Sequence, residues 1–406
     1  MTIWVAAAIA FSIQAGGSRN LAEDPAVAKA VEAVRRIEAA TIDEQVRLCE
    51  IPAPPFKERT RAEAYRQALE QLGLQDVRFD AVGNVIGVRP GASATPNVVL
   101  SAHLDTVFPE ETDVRVKRTG ARISGPGIGD NCRGLAVVLA VVRALNEAGV
   151  RTPGTLTIVA TVGEEGLGDL RGVKHLFDRE LQGRVDAFVS VDGAGHMITH
   201  GAVGSRRYRI TFKGPGGHSF GAFGTPNPAH ALGRAIARFA DLKVPAEPRT
   251  TFNVGRIGGG TSVNAIPFEA WMEVDMRSVD PAALAALDAA FHKVLDAALA
   301  DEHARWGRGG LELDRRNVGN RPAGRVPPSA PIVSAAVKAS EAVGLPVGLD
   351  ESSTDANYPI SLGIPALTIE GGGRGEAAHA LDEWFDPTDS WKGTARALLL
   401  AVVLAR

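Results

Sequence analysis

The central sheet of the predicted fold rests on short runs of consecutive apolar residues, a pattern typical of strands buried on both faces. These runs occupy residues 98–102, 156–162, 187–191 and 366–369. Helical patterns lie between several of them, near residues 134–148, 170–177 and 329–343. This alternation predicts an α/β fold with a central, mostly parallel sheet flanked by helices.

The segments around this region add helices and strands at both ends. Asp24 and Pro25 are typical of a helix N-cap and first helical residue, and valines follow at helical spacing from residue 27. Further patterns predict a helix over 58–72, strands over 77–79 and 84–88, and a closing helix from about residue 389.

A different pattern marks residues 205–315, where apolar positions such as Tyr208, Ile210 and Phe212 alternate with polar ones. Alternation is typical of antiparallel strands covered on one face. Helical patterns at residues 229–242 and 281–299 separate these strands. We therefore expect an inserted α+β domain of four antiparallel strands and two helices, with residues 21–204 and 316–406 forming the main domain.

Composition narrows the possible partners and metal ligands. The formal net charge is −3 over 406 residues, and no long run of one sign indicates a nucleic-acid-binding face. The two cysteines, Cys49 and Cys132, are too far apart for a CxxC motif. Any metal must therefore be held by histidines and carboxylates.

The first residues leave two interpretations open. Residues 3–13 are apolar and are followed by small residues at 15–18, which resembles a signal peptide, although no Lys or Arg precedes them. A buried N-terminal helix is the alternative for residues 1–20. The segment is too short to span a bilayer, and we expect no membrane span elsewhere. The location is accordingly cytoplasmic, or periplasmic or secreted if residues 1–18 act as a signal peptide.

Acidic residues and histidines follow the buried strands, where loops at the carboxyl edge of a parallel sheet form a crevice. The candidates are His103, Asp105, Asp130, Glu164, Glu165, Asp192 and His379. Each one alone is more commonly a turn, cap or surface residue, and Glu164 and Glu165 also suit a solvated helix start. Together, two imidazoles and several carboxylates at one sheet edge suit a borderline metal such as zinc.

The adjacent carboxylates of Glu164 and Glu165 carry a specific implication. Two like charges side by side repel each other unless a neighbouring group compensates them. A metal can do so, with one carboxylate as a ligand and the other free to take a proton from a metal-bound water.

Several motifs resemble, in order and spacing, the dinuclear zinc metallopeptidase family that includes peptidase T, glutamate carboxypeptidase, aminoacylase, acetylornithine deacetylase and succinyl-diaminopimelate desuccinylase. They are HLDTVFP, GPGIGDNCRG, TVGEEGLGDLRG, SVDG and a late AAH. The resemblance extends over nearly the whole chain after about Leu21, and TVGEEGLGDLRG and SSTDANYPISLGIPALTIEGGG are closest to the peptidase T-like branch.

This resemblance implies a site with two zinc ions, for which Co²⁺ or Mn²⁺ can substitute. His103 and Asp192 would hold one metal, Glu165 and His379 the other, and Asp130 would bridge them. Asp105 would orient His103, Glu164 would be the general base, and a cis peptide is expected between Asp130 and Asn131.

In the same family the inserted domain is a lid that commonly dimerises. The resemblance implies that His218 supplies an imidazole to the substrate carbonyl, often from the partner subunit, and that Asn264 and Arg277 contact the substrate. The alternatives are a loop histidine without a role and a solvated strand arginine. Gly371, Gly372 and Gly373 either present main-chain N–H groups to an anion or form a plain flexible loop.

The predicted function is metal-dependent hydrolysis of an amide bond in short peptides, in which a water bridging the two metals loses a proton to Glu164 and attacks the carbonyl. An N-acyl-amino-acid amidohydrolase is the nearest alternative. A catalytically inactive binding protein of the same fold is a remote one, because all five candidate ligands and Glu164 are present.

Overall fold

The computed structural model describes residues 24–406. The predicted signal peptide or N-terminal helix at residues 1–20 lies outside the described residues. Within the described part of the chain, no helix combines the length and apolar character needed to cross a membrane.

The described chain forms ten helices and nineteen strands. The helices are α1 Pro25–Arg36, α2 Glu38–Cys49, α3 Arg59–Gln71, α4 Cys132–Glu147, α5 Arg171–His175, α6 Pro228–Ala240, α7 Pro281–Trp306, α8 Pro331–Ala342, α9 Asn357–Ser361 and α10 Trp391–Leu404. The strands are β1 Gln75–Phe79, β2 Val85–Arg89, β3 Asn97–His103, β4 Lys117–Thr119, β5 Arg122–Ser124, β6 Thr155–Thr161, β7 Ala187–Val191, β8 Met197–Ala202, β9 Gly204–Lys213, β10 Gly217–His218, β11 Thr250–Gly259, β12 Ala265–Ile266, β13 Glu269–Ser278, β14 Glu312–Arg321, β15 Gly324–Arg325, β16 Gly348–Ser352, β17 Ala366–Ile369, β18 Arg374–Glu376 and β19 Trp384–Asp386.

The main domain is built on a nine-stranded sheet in the order β1-β2-β6-β3-β7-β17-β8-β15, with β16 paired to β8. The four central strands β6, β3, β7 and β17 are parallel to one another, whereas β1, β2 and β15 are antiparallel to their neighbours. The prediction of an α/β fold with a central sheet flanked by helices is thus confirmed, but the sheet is mixed, because β8 is antiparallel to β17 and only its central strands and the β8–β16 pair are parallel.

Both faces of this sheet are covered, which explains its continuous apolar strands. Along β3, Val98 and Leu100 pack into a core with α1, α3, α4, α8 and α10. Val99 points to the opposite face and packs with Val173 and Phe177 in and after α5. Because successive side chains in a strand alternate between faces, a strand covered on both sides needs apolar residues at nearly every position.

The inserted domain has its own sheet and its own core. Strands β11, β13, β9 and β14 pair in that order, all antiparallel. Helices α6 and α7 contact β13 and β9, and a core containing Ile210, Phe212, Phe239 and Phe291 lies between the helices and the sheet. The predicted four-stranded antiparallel sheet with two helices is found, and a separate two-stranded pair, β10 with β12, was not predicted.

The inserted sheet extends beyond the predicted end of the insertion at residue 315. Strand β14 continues to Arg321, because it pairs with the whole length of β9 and Arg321 lies opposite Ser205. The alternation along β14 is weak, with several consecutive exposed residues, so the sequence pattern ends earlier than the strand.

Several short or mixed elements were not predicted. Strand β8 contains His200, which is buried although polar, and it pairs with β17 and β16. Strands β4, β5, β18 and β19 form a small antiparallel sheet of three-residue strands. Segments of three residues are too short to show a periodicity, so only the folded chain reveals them.

Candidate metal centre

The candidate ligands come together at the carboxyl edge of the parallel strands. His103 is the last residue of β3, Glu165 follows β6 and Asp192 directly follows β7. Asp130 lies just before α4, and His379 lies in the loop between β18 and β19. Parallel strands end at one edge of the sheet, which is why segments distant in the sequence meet here.

One half of the cluster is centred on His103. Its Nε2 lies 3.0 Å from Oδ1 of Asp130 and 3.3 Å from Oδ1 of Asp192. The imidazole is buried, whereas both carboxylates are partly exposed. These three side chains can place one ligand atom each around a single ion.

The other half is centred on His379. Its Nε2 lies 3.1 Å from Oδ2 of Asp130 and 3.0 Å from Oε1 of Glu165. The two oxygens of Asp130 therefore face two different imidazoles, one in each half. This is the arrangement of a carboxylate shared by two adjacent cation positions.

The residues present fit a pair of metal ions. Nε2 of His103 and Oδ1 of Asp130 are both buried without a hydrogen-bond partner. A buried polar atom left without a partner is costly, and a cation between these two atoms would satisfy both of them. Nitrogen and oxygen donors in this ratio suit zinc and similar divalent metals.

The electrostatics of the cluster also favour a cation. Burial lowers the pKa of His103, but the carboxylates of Asp192 and Asp130 outweigh it and raise that pKa well above its usual value. Hydrogen bonds that His379 donates to Asp130 and Glu165 raise its pKa to about 10. Conversely, burial would raise the pKa of Asp130, but the two imidazoles hold it well below its usual value. The pocket thus stabilises positive charge at both positions.

Glu164 lies beside the cluster but has a different partner. One of its carboxylate oxygens lies within 4.8 Å of ligand atoms of His103 and Glu165. Its Oε1 accepts a hydrogen bond from Nη1 of Arg321 at 3.0 Å. Burial raises the pKa of Glu164 well above its usual value, and the charge of Arg321 opposes this shift.

Asp105 contacts His103 through its main chain. Nδ1 of His103 lies 3.0 Å from the main-chain oxygen of Asp105, whereas the nearest carboxylate oxygen is 3.8 Å away. The carboxylate instead accepts the main-chain N–H groups of Glu164 (3.0 Å) and Glu165 (2.8 Å). The expected carboxylate-to-imidazole hydrogen bond is therefore corrected: the side chain fixes the two glutamates, and the main chain orients the histidine.

The predicted substrate-contacting residues of the inserted domain lie apart from this cluster. His218 is exposed on β10, and the main-chain N–H of Ser219 donates to the oxygen of Asn264, so His218 and Asn264 are neighbours. Arg277 pairs with Asp275 at 2.6 Å. Among the hydrogen bonds and ion pairs of residues 24–406, none joins His218, Asn264 or Arg277 to the five candidate ligands.

The structure does not support an anion cradle at Gly371 and Gly372. The N–H of Gly371 donates to the oxygen of Gly193, and the N–H of Gly372 donates to that of Gly195. A Cβ on Gly372 would lie 2.4 Å from the main-chain oxygen of Ser390. Close packing against the start of α10, rather than ligand binding, accounts for glycine at this position.

Three residues near the cluster were not predicted from the sequence. Arg321 holds Glu164, as described above. Glu383 accepts hydrogen bonds from the loop that carries Asp130, and Asp355 accepts one from Thr161, which pairs with His103 across β3 and β6. The sequence shows that these residues lie after a strand or near a candidate ligand. It does not show their roles, because the groups that they contact lie far away in the sequence.

The chain is similar to known proteins in sequence and in fold. The sequence model of Peptidase family M20/M25/M40 matches residues 99–402. A succinyl-diaminopimelate desuccinylase from Nitrosospira multiformis is 26% identical over 345 residues, covering 79% of this chain and 86% of that protein.

Two solved structures show the same fold. A tripeptidase from Staphylococcus aureus has a TM-score of 0.76 at 22% identity, with 91% of this chain and 99% of that chain covered. The Bacillus subtilis YXEP protein, described as a dinuclear metal binding peptidase, has a TM-score of 0.67 at 19% identity, with 91% and 99% covered. The family match extends over most of the chain and includes every candidate ligand, and it confirms the prediction of a hydrolytic metallopeptidase. The chain belongs to peptidase family M20/M25/M40.

Proposed function

We propose that this chain cleaves an amide bond in short peptides, using two zinc ions held by its carboxyl-edge cluster. His103 and Asp192 would bind one ion, Glu165 and His379 the other, and Asp130 both. The observation that carries the proposal is the placement of the two Asp130 oxygens, 3.0 Å and 3.1 Å from two different imidazoles. Co²⁺ or Mn²⁺ would substitute for zinc, because both accept the same nitrogen and oxygen donors.

Metal ions at these positions would lower the pKa of a bound water and polarise the substrate carbonyl. Glu164 is placed to act as the general base, since it lies next to the ligands without filling either ligand group built around Asp130. It would accept a proton from the attacking water and return it to the leaving amine. Burial raises its pKa well above the usual value, which makes its carboxylate a stronger proton acceptor.

The inserted domain would complete the site. His218 is exposed and its Nδ1 accepts the main-chain N–H groups of Phe220 and Gly221, both at 3.3 Å, which would direct Nε2 outward. An outward imidazole can stabilise the oxyanion that forms on the substrate. Because no hydrogen bond or ion pair within residues 24–406 joins His218 to the cluster of its own chain, we infer that it acts across a homodimer formed through the inserted domain. Asn264 and Arg277 would contact the substrate from the same domain.

Short peptides are the substrate class that we favour, because the tripeptidase from Staphylococcus aureus shares the fold over 91% of this chain. N-acylated amino acids are the second candidate, which the relative named as a desuccinylase favours. Both classes present an amide carbonyl to the same cluster. An enzyme distinguishes the two classes through its contacts with the other groups of the substrate.

Turnover of tripeptides and of N-acetyl and N-succinyl amino acids, measured side by side with added Zn²⁺ or Co²⁺, tests this proposal. We expect kcat/KM to be higher for tripeptides. Glu164→Gln should bind metal normally and lose at least about 99% of kcat, within the range typical of general-base removal. Near-normal turnover by this variant would exclude Glu164 as the base, and preference for N-acyl substrates would overturn the peptidase assignment.

A further inference from the structure

A buried carboxylate outside the ligand set holds the loop that carries Asp130. Glu383 is only 2% exposed. Its Oε1 accepts the main-chain N–H groups of Gly129 (2.7 Å) and Asp130 (2.9 Å), and its Oε2 accepts that of Gly127 (2.9 Å). No Lys, Arg or His among residues 24–406 forms an ion pair with it. Its binding partners are main-chain N–H groups alone.

The loop that these hydrogen bonds hold is also bonded by Gln45, whose side chain donates to the oxygen of Ile128 at 2.7 Å, but only Glu383 binds its main-chain N–H groups at Gly127, Gly129 and Asp130. It contains the three glycines Gly125, Gly127 and Gly129 and lies between β5 and α4 without regular secondary structure. Glycine-rich backbone has many accessible conformations, so its geometry must be imposed from outside. Converging main-chain N–H groups form a natural binding site for an anion, and here the anion is a side chain of the same protein.

Glu383 is also tied to the second candidate imidazole. It lies four residues after His379, in a segment closed by two turns: the N–H of Ala380 donates to the oxygen of Ala377, and that of Glu383 to the oxygen of Ala380. The main-chain oxygen of Glu383 accepts the N–H of Gly125 at 2.9 Å. The residue therefore binds the Asp130 loop with its side chain and its main chain, while its own segment carries His379.

The strands next to this contact anchor it. Glu383 immediately precedes β19, whose Trp384 and Phe385 pair with Ser124 and Ile123 of β5. Both loops therefore start from one small sheet. Through its side chain, Glu383 also connects this sheet to Asp130, the candidate bridging residue.

We propose that Glu383 is a positioning residue for the two-metal site, which sets the placement of Asp130 relative to His379 and thereby the affinity for both ions. This inference rests on the proposed function, since it assumes that Asp130 and His379 are ligands. Outer partners of metal ligands commonly change affinity by 10- to 100-fold when they are removed. A merely structural role would lower the stability of the metal-free protein and leave the affinity of the folded protein unchanged.

The experiment compares Glu383→Gln with wild type in the full-length protein. Cobalt affinity and stoichiometry are measured by equilibrium dialysis and by the visible spectrum of bound Co²⁺, and thermal unfolding is measured in EDTA. The amide keeps the size of the side chain but places N–H groups where one carboxylate oxygen accepts a hydrogen bond. We expect about 10- to 100-fold weaker binding of both ions, because Asp130 serves both positions.

Glu302→Gln is the matched control. Glu302 is equally buried and also accepts a main-chain N–H, that of Asn227 at 3.0 Å, but it lies in the inserted domain. Glu302→Gln should lower the unfolding temperature in EDTA at least as much as Glu383→Gln does, while leaving cobalt affinity unchanged. Should Glu383→Gln fail to fold, Glu383→Asp replaces it, because it keeps the charge and shortens the reach by one methylene; a loss of affinity is again expected.

The outcomes separate this inference from the proposed function. Wild-type cobalt affinity in a folded Glu383 variant overturns the positioning role, as does an equal loss of affinity in Glu302→Gln. A wild-type protein that binds no pair of cobalt ions overturns the proposed function itself.

Discussion

Nη1 of Arg321 lies 3.0 Å from Oε1 of Glu164, and both side chains are buried. Arg321 is the last residue of β14 in the inserted sheet, whereas Glu164 follows β6 of the central sheet. The ion pair therefore connects the two domains at the candidate general base. It also opposes the effect of burial, which raises the pKa of Glu164.

Removing this charge should shift the pH dependence of catalysis. In Arg321→Met, burial acts on Glu164 without the opposing charge, so its pKa rises further. A general base must be ionised to accept a proton, so the acidic limb of the kcat/KM profile should move to higher pH. Steady-state rates measured from pH 5 to 9 test this.

Arg207→Met is the control for this prediction. Arg207 also joins the inserted domain to the loop after Glu164, through a hydrogen bond to the oxygen of Gly166 at 2.9 Å, and it pairs with Asp275. It does not contact the carboxylate of Glu164, so its loss should leave the acidic limb in place. An equal displacement in both variants would show that domain contacts, rather than the charge of Arg321, set the profile.

Variants of single ligands should separate the two metal positions. Asp192→Asn and His379→Asn should each retain one ion per chain, because each contacts only one half of the cluster. Asp130→Asn should weaken the binding of both ions by at least about 100-fold. This loss is larger than the one usually caused by removing an outer partner of a metal ligand. Metal content after dialysis, measured by atomic emission, gives the count.

Asp186→Asn provides a comparison at the other end of the same strand. Asp186 precedes β7, which Asp192 follows, and its Oδ2 accepts the main-chain N–H of Asn97 at 2.6 Å. Full metal content is expected in this variant. Loss of metal there would mean that disturbance of β7, not loss of a ligand, explains the Asp192 result.

Metal binding should release protons. Without metal, hydrogen bonds that His379 donates to Asp130 and Glu165 raise its pKa to about 10, so its imidazole is charged at neutral pH. Ligation requires neutral imidazole, and the pKa of His103 is raised as well. Binding of two ions at pH 7 should therefore release about two protons, and affinity should fall as the pH falls. Calorimetry in buffers of different ionisation enthalpy measures the release; a heat independent of the buffer would contradict it.

Asp355 should make stability depend on pH. Burial raises the pKa of Asp355 to about 7, although Thr161 donates a hydrogen bond to it. The usual value is 3.8, so the folded state binds more protons than the unfolded state between about pH 4 and 7. This contribution to the free energy of unfolding is complete below pH 4 and is lost as the pH rises to 7, by at most about 1.4 kcal/mol per pH unit.

Asp355→Asn removes the titrating group and keeps an oxygen that can accept the Thr161 hydrogen bond. Urea unfolding of both proteins in EDTA at pH 5, 6, 7 and 8 gives the comparison. We expect the wild type to lose stability relative to the variant from pH 5 to 7, with the relative change levelling off above pH 7. A constant difference across this range would show that Asp355 does not titrate there.

The sequence identified the parts of the site that depend on the ends of buried strands. His103 and Asp192 end apolar runs, and the parallel strands carry them to one edge of the sheet. The five candidate ligands could be chosen in this way because each is close to a strand or helix with a clear pattern. The cis peptide between Asp130 and Asn131, which the family resemblance implied, is also present.

The sequence did not reveal which groups hold these residues in place. Glu383 binds residues more than 250 positions earlier, and Arg321 reaches a glutamate 157 positions earlier. Periodicity describes only neighbours along the chain, so it carries no information on such pairs. The sequence also did not show that the Asp105 carboxylate binds the main-chain N–H groups of Glu164 and Glu165, because this contact depends on where the loop after β6 lies.

The sequence by itself determined the two-domain α/β architecture and the set of candidate metal ligands, because apolar periodicity and residue chemistry are local properties. The tertiary structure alone decided that the two oxygens of Asp130 face separate imidazoles, that Arg321 pairs with Glu164, and that Gly371 and Gly372 pack rather than bind. These relationships depend on the packing of distant segments, and packing fixes distances that no stretch of sequence contains.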